Sequence, residues 1–166
     1  HNPDAWHKHN GNPVTVSRTM KVLGKYAVAL RDAGGGVTLS GGEPVLQRGF
    51  LMSLVGRCRG LGLHTCLDTS GRLGARLTDD DLAAIDLNLL DLKAGDASSH
   101  ERITGAPFAP TLDYARRLAA LRRPMWIRYV LVPGLTDGHD HVERVADVCA
   151  GLAGVERVQV LRFHQL

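Results

Sequence analysis

The sequence predicts an α/β fold in which a parallel sheet is covered by helices. Two observations lead to this fold class: five strand-like segments alternate with helical segments along the 166 residues, and several of these strands are apolar on both faces. Strands buried on both faces are typical of parallel sheets that are connected through helices. Periodicity alone does not distinguish an open doubly wound sheet from a barrel. The length predicts a single domain spanning residues 1–166.

In the first half of the chain, two helices alternate with two strands. Apolar residues recur at three and four positions between Ser17 and Ala33, which predicts one helix, and the glycines at 34–36 end it. A strand is predicted over 36–40, and another over 64–69. The helix between them is indicated by apolar residues four apart, at Leu46, Phe50, Leu54 and Cys58.

The second half repeats the alternation. Thr78 followed by three aspartates, 79–81, predicts a helix start, because a hydroxyl caps the first amides and acids suit the positive end of the helix dipole. The remaining elements are strands over 87–93, 125–132 and 155–163, and helices over 111–123 and 142–152.

Polar residues gather at the far end of each predicted strand. They are Gly41, Gly42 and Glu43 after the first strand, Asp68 and Thr69 in the second, Asp91 and Lys93 in the third, Arg128 in the fourth and His164 in the fifth. Because the carboxyl ends of parallel strands emerge on one side, these residues are predicted to form one ligand site. A single acid–base pair would be explained by mutual neutralisation, whereas five successive strand ends favour a site.

Side-chain alternation in the third strand supports this interpretation. Leu89, Asp91 and Lys93 share one face, so the carboxylate and the ammonium are predicted to point together. Charges within an apolar sheet are costly unless they are paired or bound to a ligand. The Gly41-Gly42 pair exposes backbone groups that a ligand could approach closely, although a tight turn is the more common explanation of such a pair.

Composition excludes several functional classes. The net charge of +3 and the pI near 9.0 come from scattered basic residues, which argues against a nucleic-acid-binding protein. Three widely spaced cysteines, Cys58, Cys66 and Cys149, suit a reducing compartment better than a disulfide framework. No apolar run reaches the roughly 18 residues of a membrane span, and no signal peptide is recognised. The expected location is therefore the cytoplasm, with no membrane partner.

Several motifs resemble, in the same order, those of the pyruvate formate-lyase activating enzyme family, which comprises radical S-adenosylmethionine (SAM) activases of glycyl radical enzymes. The matching stretches are His-Asn-Pro-Asp-x-Trp at 1–6, Gly-Gly-Gly-Val-Thr-x-Ser-Gly-Gly-Glu at 34–43, His-Thr-Cys-Leu-Asp-Thr-x-Gly at 64–71, Leu-Asp-Leu-Lys at 90–93, Trp-Ile-Arg-Tyr-Val at 126–130 and Val-Pro-Gly at 132–134. The resemblance extends over essentially the whole chain.

The resemblance implies a partial, TIM-like (β/α)6 radical SAM barrel. In this family a Cys-x3-Cys-x2-Cys loop after the first strand holds a [4Fe-4S] cluster, and in near relatives its third cysteine directly precedes His-Asn-Pro. We therefore expect the cluster cysteines and the first strand to lie upstream of His1, and the C-terminal end of the barrel to lie beyond Leu166. The 166-residue chain alone is expected to be inactive.

The resemblance also implies roles for individual residues. Those expected to bind the cofactor are His1, Gly41, Gly42, Glu43, Asp68, Asp91, Lys93, Arg128 and His164. The glycine loop would hold the methionyl amino group through backbone carbonyls. A monovalent cation is expected at Asp68, Thr69 and Leu89, with Leu89 acting through its backbone carbonyl. No residue is expected to act as a general acid or base, because the cofactor carries the chemistry.

The implied function is activation of a glycyl radical enzyme. A reduced cluster would cleave SAM to a 5′-deoxyadenosyl radical, which would take a hydrogen atom from a glycine Cα of the partner. The absence of a cysteine-rich insert between His1 and Glu43 favours pyruvate formate-lyase as that partner. The expected reductant is a flavodoxin or a ferredoxin-type protein, and the expected state is a monomer.

Three alternatives stay open at this point. The chain could be a compact activase of another glycyl radical enzyme, or a non-catalytic remnant that binds SAM or a partner. It could also be an ordinary barrel aldolase or phosphate-binding enzyme, with Lys93 as the Schiff-base residue.

Overall fold

A computed structural model of the chain describes residues 12–163, and within this range it contains five strands and seven α-helices. The strands are β1 (Gly36–Leu39), β2 (His64–Thr69), β3 (Leu87–Asp91), β4 (Met125–Leu131) and β5 (Val155–Arg162). The helices are α1 (Val16–Gly24), α2 (Ala27–Asp32), α3 (Arg48–Gly60), α4 (Asp79–Ala84), α5 (Ala97–Thr104), α6 (Ala109–Ala120) and α7 (His139–Ala150). Short 3-10 turns occupy Pro44–Gln47 and Gly74–Arg76.

The five strands form one parallel sheet in the order β1-β2-β3-β4-β5. Spatial order therefore follows chain order, without the reversal that characterises doubly wound sheets. Because crossovers between parallel strands are right-handed, successive crossovers in one direction place their helices on the same face of the sheet. The arrangement is that of a partial TIM-like barrel, which confirms the predicted α/β class and decides between the two forms that periodicity left open.

The two faces of the sheet differ sharply in chemistry. On the helix-covered face Leu67, Leu90 and Ile127 are fully buried and belong to the main hydrophobic core. The opposite face, called here the lumen face, carries the alternate residues of β2 to β4, namely Cys66, Asp68, Leu89, Asp91, Trp126 and Arg128. Burial alternates accordingly along β3 and β4. The polar strand ends thus share the face that the helices leave open.

The single helix predicted from Ser17 to Ala33 is wrong in one respect, because the structure divides it into α1 and α2. The amide of Tyr26 bonds to the carbonyl of Leu23 at 2.9 Å, which is a tighter turn than that of an α-helix. This turn contains Gly24, and glycine is a poor helix former. The shared apolar face is nevertheless present. Met20, Leu23 and Leu30 pack with Ala27 against Cys58 and Leu63.

Helix α5 is not predicted by periodicity, because its eight residues carry few apolar side chains. Its boundaries come from capping: Asp96 accepts a hydrogen bond from the Ser99 amide at 2.9 Å, and Gly105 ends the helix with φ +68°. By contrast, the predicted start of α4 is confirmed. Thr78 and Asp81 form a reciprocal capping box there.

Several predicted boundaries shift by two or three residues; the helix predicted over 142–152, for example, is α7 at His139–Ala150. Strand β3 ends at Asp91, whereas the pattern extended it to Lys93. Helix α6 begins at Ala109 and includes Pro110 in its first turn, where the missing amide proton of proline leaves no partner unsatisfied. Among residues 12–163, none of the helices is long and apolar enough to cross a membrane.

Candidate functional site

Four charged side chains form a continuous hydrogen-bonded network on the lumen face, at the carboxyl ends of β2 and β3 and the middle of β4. The Arg128 guanidinium lies between two carboxylates, bonding to Asp68 through Nη2 and to Asp91 Oδ1 through Nε at 3.0 Å. Lys93 Nζ donates to the other oxygen of Asp91 at 2.9 Å. At the opposite end Ser40 Oγ donates to Asp68 Oδ2 at 2.8 Å. The network therefore reaches from β1 to β4.

Strand register produces this arrangement. Asp91 lies opposite Arg128 in the β3–β4 pairing, and Asp68 lies opposite Leu89 in the β2–β3 pairing. Side chains opposite one another on the same face of neighbouring strands lie close together. Asp68, Asp91, Lys93 and Arg128 therefore converge in the structure, as predicted.

The network is half-buried and electrically balanced. The side chains of Asp68, Arg128 and Asp91 are 17%, 21% and 22% exposed, and that of Lys93 is 35% exposed. Two carboxylates face two cations, so no charge is left uncompensated, which is the condition for placing charges in a partly apolar lumen. Because each group still reaches solvent, it can also contact a small ligand that carries both charge signs.

The loop after β1 lies next to this network. Gly41 has φ +126°, a conformation that side-chain-bearing residues rarely adopt, so glycine is required there by the backbone. Gly41 and Gly42 are both exposed. Glu43 follows with an extended backbone and caps the 3-10 turn Pro44–Gln47. The exposed peptide groups of this loop are available to a ligand at the rim of the sheet.

The Glu43 side chain points into the protein. Its Oε1 accepts hydrogen bonds from the Thr69 hydroxyl at 2.8 Å and from the Val45 amide at 3.3 Å. Its Oε2 accepts from the Ser70 hydroxyl at 2.7 Å and from the Ser70 amide at 3.1 Å. All four bonds are internal, so the carboxylate joins the loop after β1 to the end of β2.

Sequence reasoning missed Ser70 and Thr111. Ser70 follows the polar end of β2, and its carbonyl accepts a hydrogen bond from Thr111 Oγ1 at 3.0 Å. Thr111 lies in the first turn of α6 and is buried. The only available signal was the position of Ser70 directly after Asp68-Thr69; nothing in the sequence indicates its partner 27 residues earlier.

The other predicted site residues are placed as follows. His1 and His164 lie outside the described residues. Thr69 is buried, and its hydroxyl serves Glu43 and the Gly71 amide, so it faces away from Asp68. Leu89 is half-buried and lies beside Asp68 in the sheet.

The three cysteines do not form a metal-ligand set. Cys58 lies in α3, Cys66 in β2 and Cys149 in α7, and all three thiols are free. Burial raises the pKa of each thiol, which disfavours the thiolate that binds metals. His139, Asp140 and Glu143 lie close enough together to contact one ion, but all three are exposed on one turn of α7 and we assign no site to them.

Comparison with known proteins gives consistent matches. Residues 4–148 match the family model of the radical SAM superfamily. The chain is 39% identical over its full length to pyruvate formate-lyase 1-activating enzyme of Escherichia coli strain K12, covering 68% of that protein. It is also 39% identical to pyruvate formate-lyase-activating enzyme of Staphylococcus aureus strain USA300, covering 69% of it.

Solved structures match as well. A crystallised domain of pyruvate-formate lyase-activating enzyme from Bacteroides vulgatus superposes with a TM-score of 0.71 at 32% identity, over 79% of this chain and 82% of that one. Streptococcus suis SuiB bound to S-adenosylmethionine superposes with a TM-score of 0.78 at 16% identity, over 96% of this chain and 36% of that one. The second similarity concerns the fold alone.

Proposed function

The chain belongs to the radical SAM superfamily, in the family of pyruvate formate-lyase activating enzymes, and we propose that the full-length protein installs a glycyl radical on pyruvate formate-lyase using SAM and a [4Fe-4S] cluster. The observation that carries this proposal is the charge-balanced network of Asp68, Arg128, Asp91 and Lys93 beside the Gly41-Gly42 loop. It occurs in a chain 39% identical over its full length to activating enzymes.

The chemistry of the network fits SAM. The methionyl part of SAM carries an ammonium and a carboxylate, and its ribose carries two hydroxyls. Two half-buried carboxylates and two half-buried cations offer both charge signs to these groups. When bound, SAM would supply the one-electron chemistry that removes a hydrogen atom from a glycine Cα.

In this proposal the residues of the chain bind and orient the cofactor. Backbone carbonyls at Gly41, Gly42 and Glu43 would accept hydrogen bonds from the methionyl ammonium. Asp68, Asp91 and Lys93 would contact the polar groups of the cofactor, with Arg128 holding both carboxylates in place. We also propose His1 and His164 as cofactor contacts, on the strength of the sequence motifs alone.

The [4Fe-4S] cluster does not fit the cysteines of this chain. Cys58, Cys66 and Cys149 lie on three separate elements, and burial raises the pKa of each thiol. We therefore assign no cluster ligand among these residues and describe no step through the cluster.

Two further assignments belong to the proposal. A monovalent cation would lie at Asp68, Thr69 and Leu89, with Leu89 contributing its backbone carbonyl; the register pairing of Asp68 with Leu89 supports this. A flavodoxin or ferredoxin-type protein would supply the electron, and the activase would act as a monomer.

The test is activation of pyruvate formate-lyase by the full-length protein. After anaerobic reconstitution with iron and sulfide, the protein is mixed with SAM, a one-electron reductant and pyruvate formate-lyase. We expect the glycyl radical signal to develop by electron paramagnetic resonance, together with release of methionine.

Two outcomes would contradict the proposal. SAM cleavage that yields a radical only on a different glycyl radical enzyme would replace pyruvate formate-lyase as the partner. SAM binding without cleavage would indicate a protein that binds the cofactor but does not catalyse. A reaction without SAM serves as the control.

A further inference from the structure

Glu43 and Ser70 are joined by two hydrogen bonds across 27 residues of sequence. Glu43 belongs to the loop after β1, and Ser70 to the loop after β2. Both residues are half-buried, and Thr69 adds a third bond to the same carboxylate. A carboxylate that accepts bonds from four donors of its own chain has little capacity left for a ligand.

Ser70 is in turn fixed from the opposite side. The hydroxyl of Thr111, in the first turn of α6, donates to the Ser70 carbonyl at 3.0 Å. Thr111 is 2% exposed, so this bond is shielded from water. The loop after β1 is thereby connected through Glu43 and Ser70 to a helix in the packed core.

The segment that depends most on this connection is Gly41-Gly42. Both glycines are exposed, and a Cβ built at Gly41 would meet no atom within 4 Å, so Gly41 lies in open space between Ser40, which bonds to Asp68, and Glu43. Glycine also gives the backbone its greatest freedom. Bonds made by the neighbouring Glu43 therefore have a large influence on where the Gly41 and Gly42 peptide groups point.

From these contacts we infer that Glu43 and Ser70 are a pair of positioning residues that hold the Gly41-Gly42 backbone in place beside Asp68. Neither side chain needs to touch the cofactor. This inference rests on the proposed function and adds a role for two residues to it. The loop peptides are oriented before SAM arrives, so binding does not have to order them.

The first measurement concerns the loop itself, without any cofactor. In the full-length protein, Ser70→Ala removes the hydroxyl donor, and Ser70→Thr keeps it. We expect amide hydrogen exchange in the peptide covering residues 39–43 to become about tenfold faster in Ser70→Ala and to stay near wild type in Ser70→Thr, because a bond to a charged group is lost only in the first.

The second measurement is the SAM dissociation constant, determined by anaerobic calorimetry on the reconstituted protein without reductant. Ser70→Ala and Glu43→Gln are each expected to raise it about tenfold, which is the typical effect of losing a bond to a charged group. The double variant should be weaker by less than the product of the two, because the side chains act together.

Tyr114→Phe is the matched control. It removes the buried hydrogen bond of 2.8 Å that the Tyr114 hydroxyl donates to Asn88 Oδ1 in β3, and it leaves Glu43 and Ser70 intact. Tyr114 lies in α6, the helix that also carries Thr111. It should lower the melting temperature with exchange at 39–43 and SAM affinity unchanged.

Unchanged exchange at residues 39–43 in Ser70→Ala would overturn the inference. So would faster exchange spread evenly over the protein, because the pair would then be merely structural. Failure of the wild-type protein to bind SAM would instead overturn the proposed function, while the exchange result still decides the role of the pair.

Discussion

Arg128 is the residue on which the candidate site depends most directly. Its planar guanidinium bonds to Asp68 and Asp91 at once, which a single ammonium cannot reproduce in the same geometry. It also supplies the positive charge between two carboxylates of neighbouring strands, β2 and β3, that would otherwise repel each other. The orientation of both acids therefore follows from one side chain on β4.

Arg128→Lys tests this dependence while keeping the charge. We expect the SAM dissociation constant of the full-length protein to rise about tenfold, because one of the two carboxylates loses its partner. The measurement is anaerobic calorimetry. Arg116→Lys is the control, since Arg116 is 65% exposed and its pairing with Asp113 is 3.8 Å long. Equal affinities in the two variants would show that Arg128 does not organise the site.

At the scale of elements, the rim loop after β3 packs tightly against α7. A Cβ added at Gly95 would lie 2.2 Å from the backbone carbon of Arg144, so α7 could not keep its position. Gly95 follows Lys93 by two residues, and the same contact therefore sets how closely the end of β3 approaches α7. Asp96, the N-cap of α5, also bonds to Arg144 at 3.2 Å.

Two glycine substitutions should have opposite effects on stability. Gly95→Ala is expected to lower the free energy of unfolding by about 2 kcal/mol, because the new methyl group overlaps backbone that cannot move freely. Gly56→Ala, at an exposed position of α3 where a Cβ meets no atom within 4 Å, should raise it by about 0.5–1 kcal/mol. Urea unfolding of both variants provides the measurement. A neutral Gly95→Ala would show that α7 can shift without cost.

At the scale of the whole molecule, buried or bonded aspartates join elements distant in sequence. Asp81 Oδ2 accepts from Arg48 Nε at 2.6 Å, which connects α4 to α3. Asp86 accepts from the amide and hydroxyl of Thr65, both at 2.8 Å. Burial opposes ionisation of Asp81 and Asp86, but these hydrogen bonds outweigh it and lower the pKa of both carboxyls. Hydrogen bonds from the Ser99 amide and from Arg144 likewise lower the pKa of Asp96, although burial acts to raise it.

The fold should therefore lose stability in acid. A carboxyl whose folded pKa lies below its unfolded value of about 3.8 stabilises the folded state above that pH, and its contribution disappears as the pH falls through the folded pKa. We expect the urea midpoint to fall steeply as the pH drops below the unfolded value of about 3.8. Asp81→Ala should flatten this dependence, whereas Asp80→Ala, an exposed residue in the same helical turn, should not. Parallel curves for the two variants would contradict the assignment.

Much of the site and the fold follows from local patterns. Short apolar runs between turn residues indicated all five strands, because the strands of a helix-covered parallel sheet are apolar whatever their neighbours are. The Thr78 cap marked the start of α4 for a similar reason, since the bonds it makes lie within one turn. The polar ends at Asp68, Asp91 and Arg128 indicated one rim, because parallel strands all end on the same side.

Other features were decided by tertiary structure. The sheet is of the barrel type because each strand joins its predecessor in space, and strand order leaves no periodic trace in the chain. Arg128 meets Asp68 across 60 residues, and Ser70 meets Glu43 across 27. Residue types and their spacing report the environment of each segment, whereas such pairs depend on register and on the path of the intervening chain. For that reason the sequence indicated that Asp91 and Lys93 point together, whereas the bonds of Arg128 to Asp68 and Asp91 follow only from the tertiary structure.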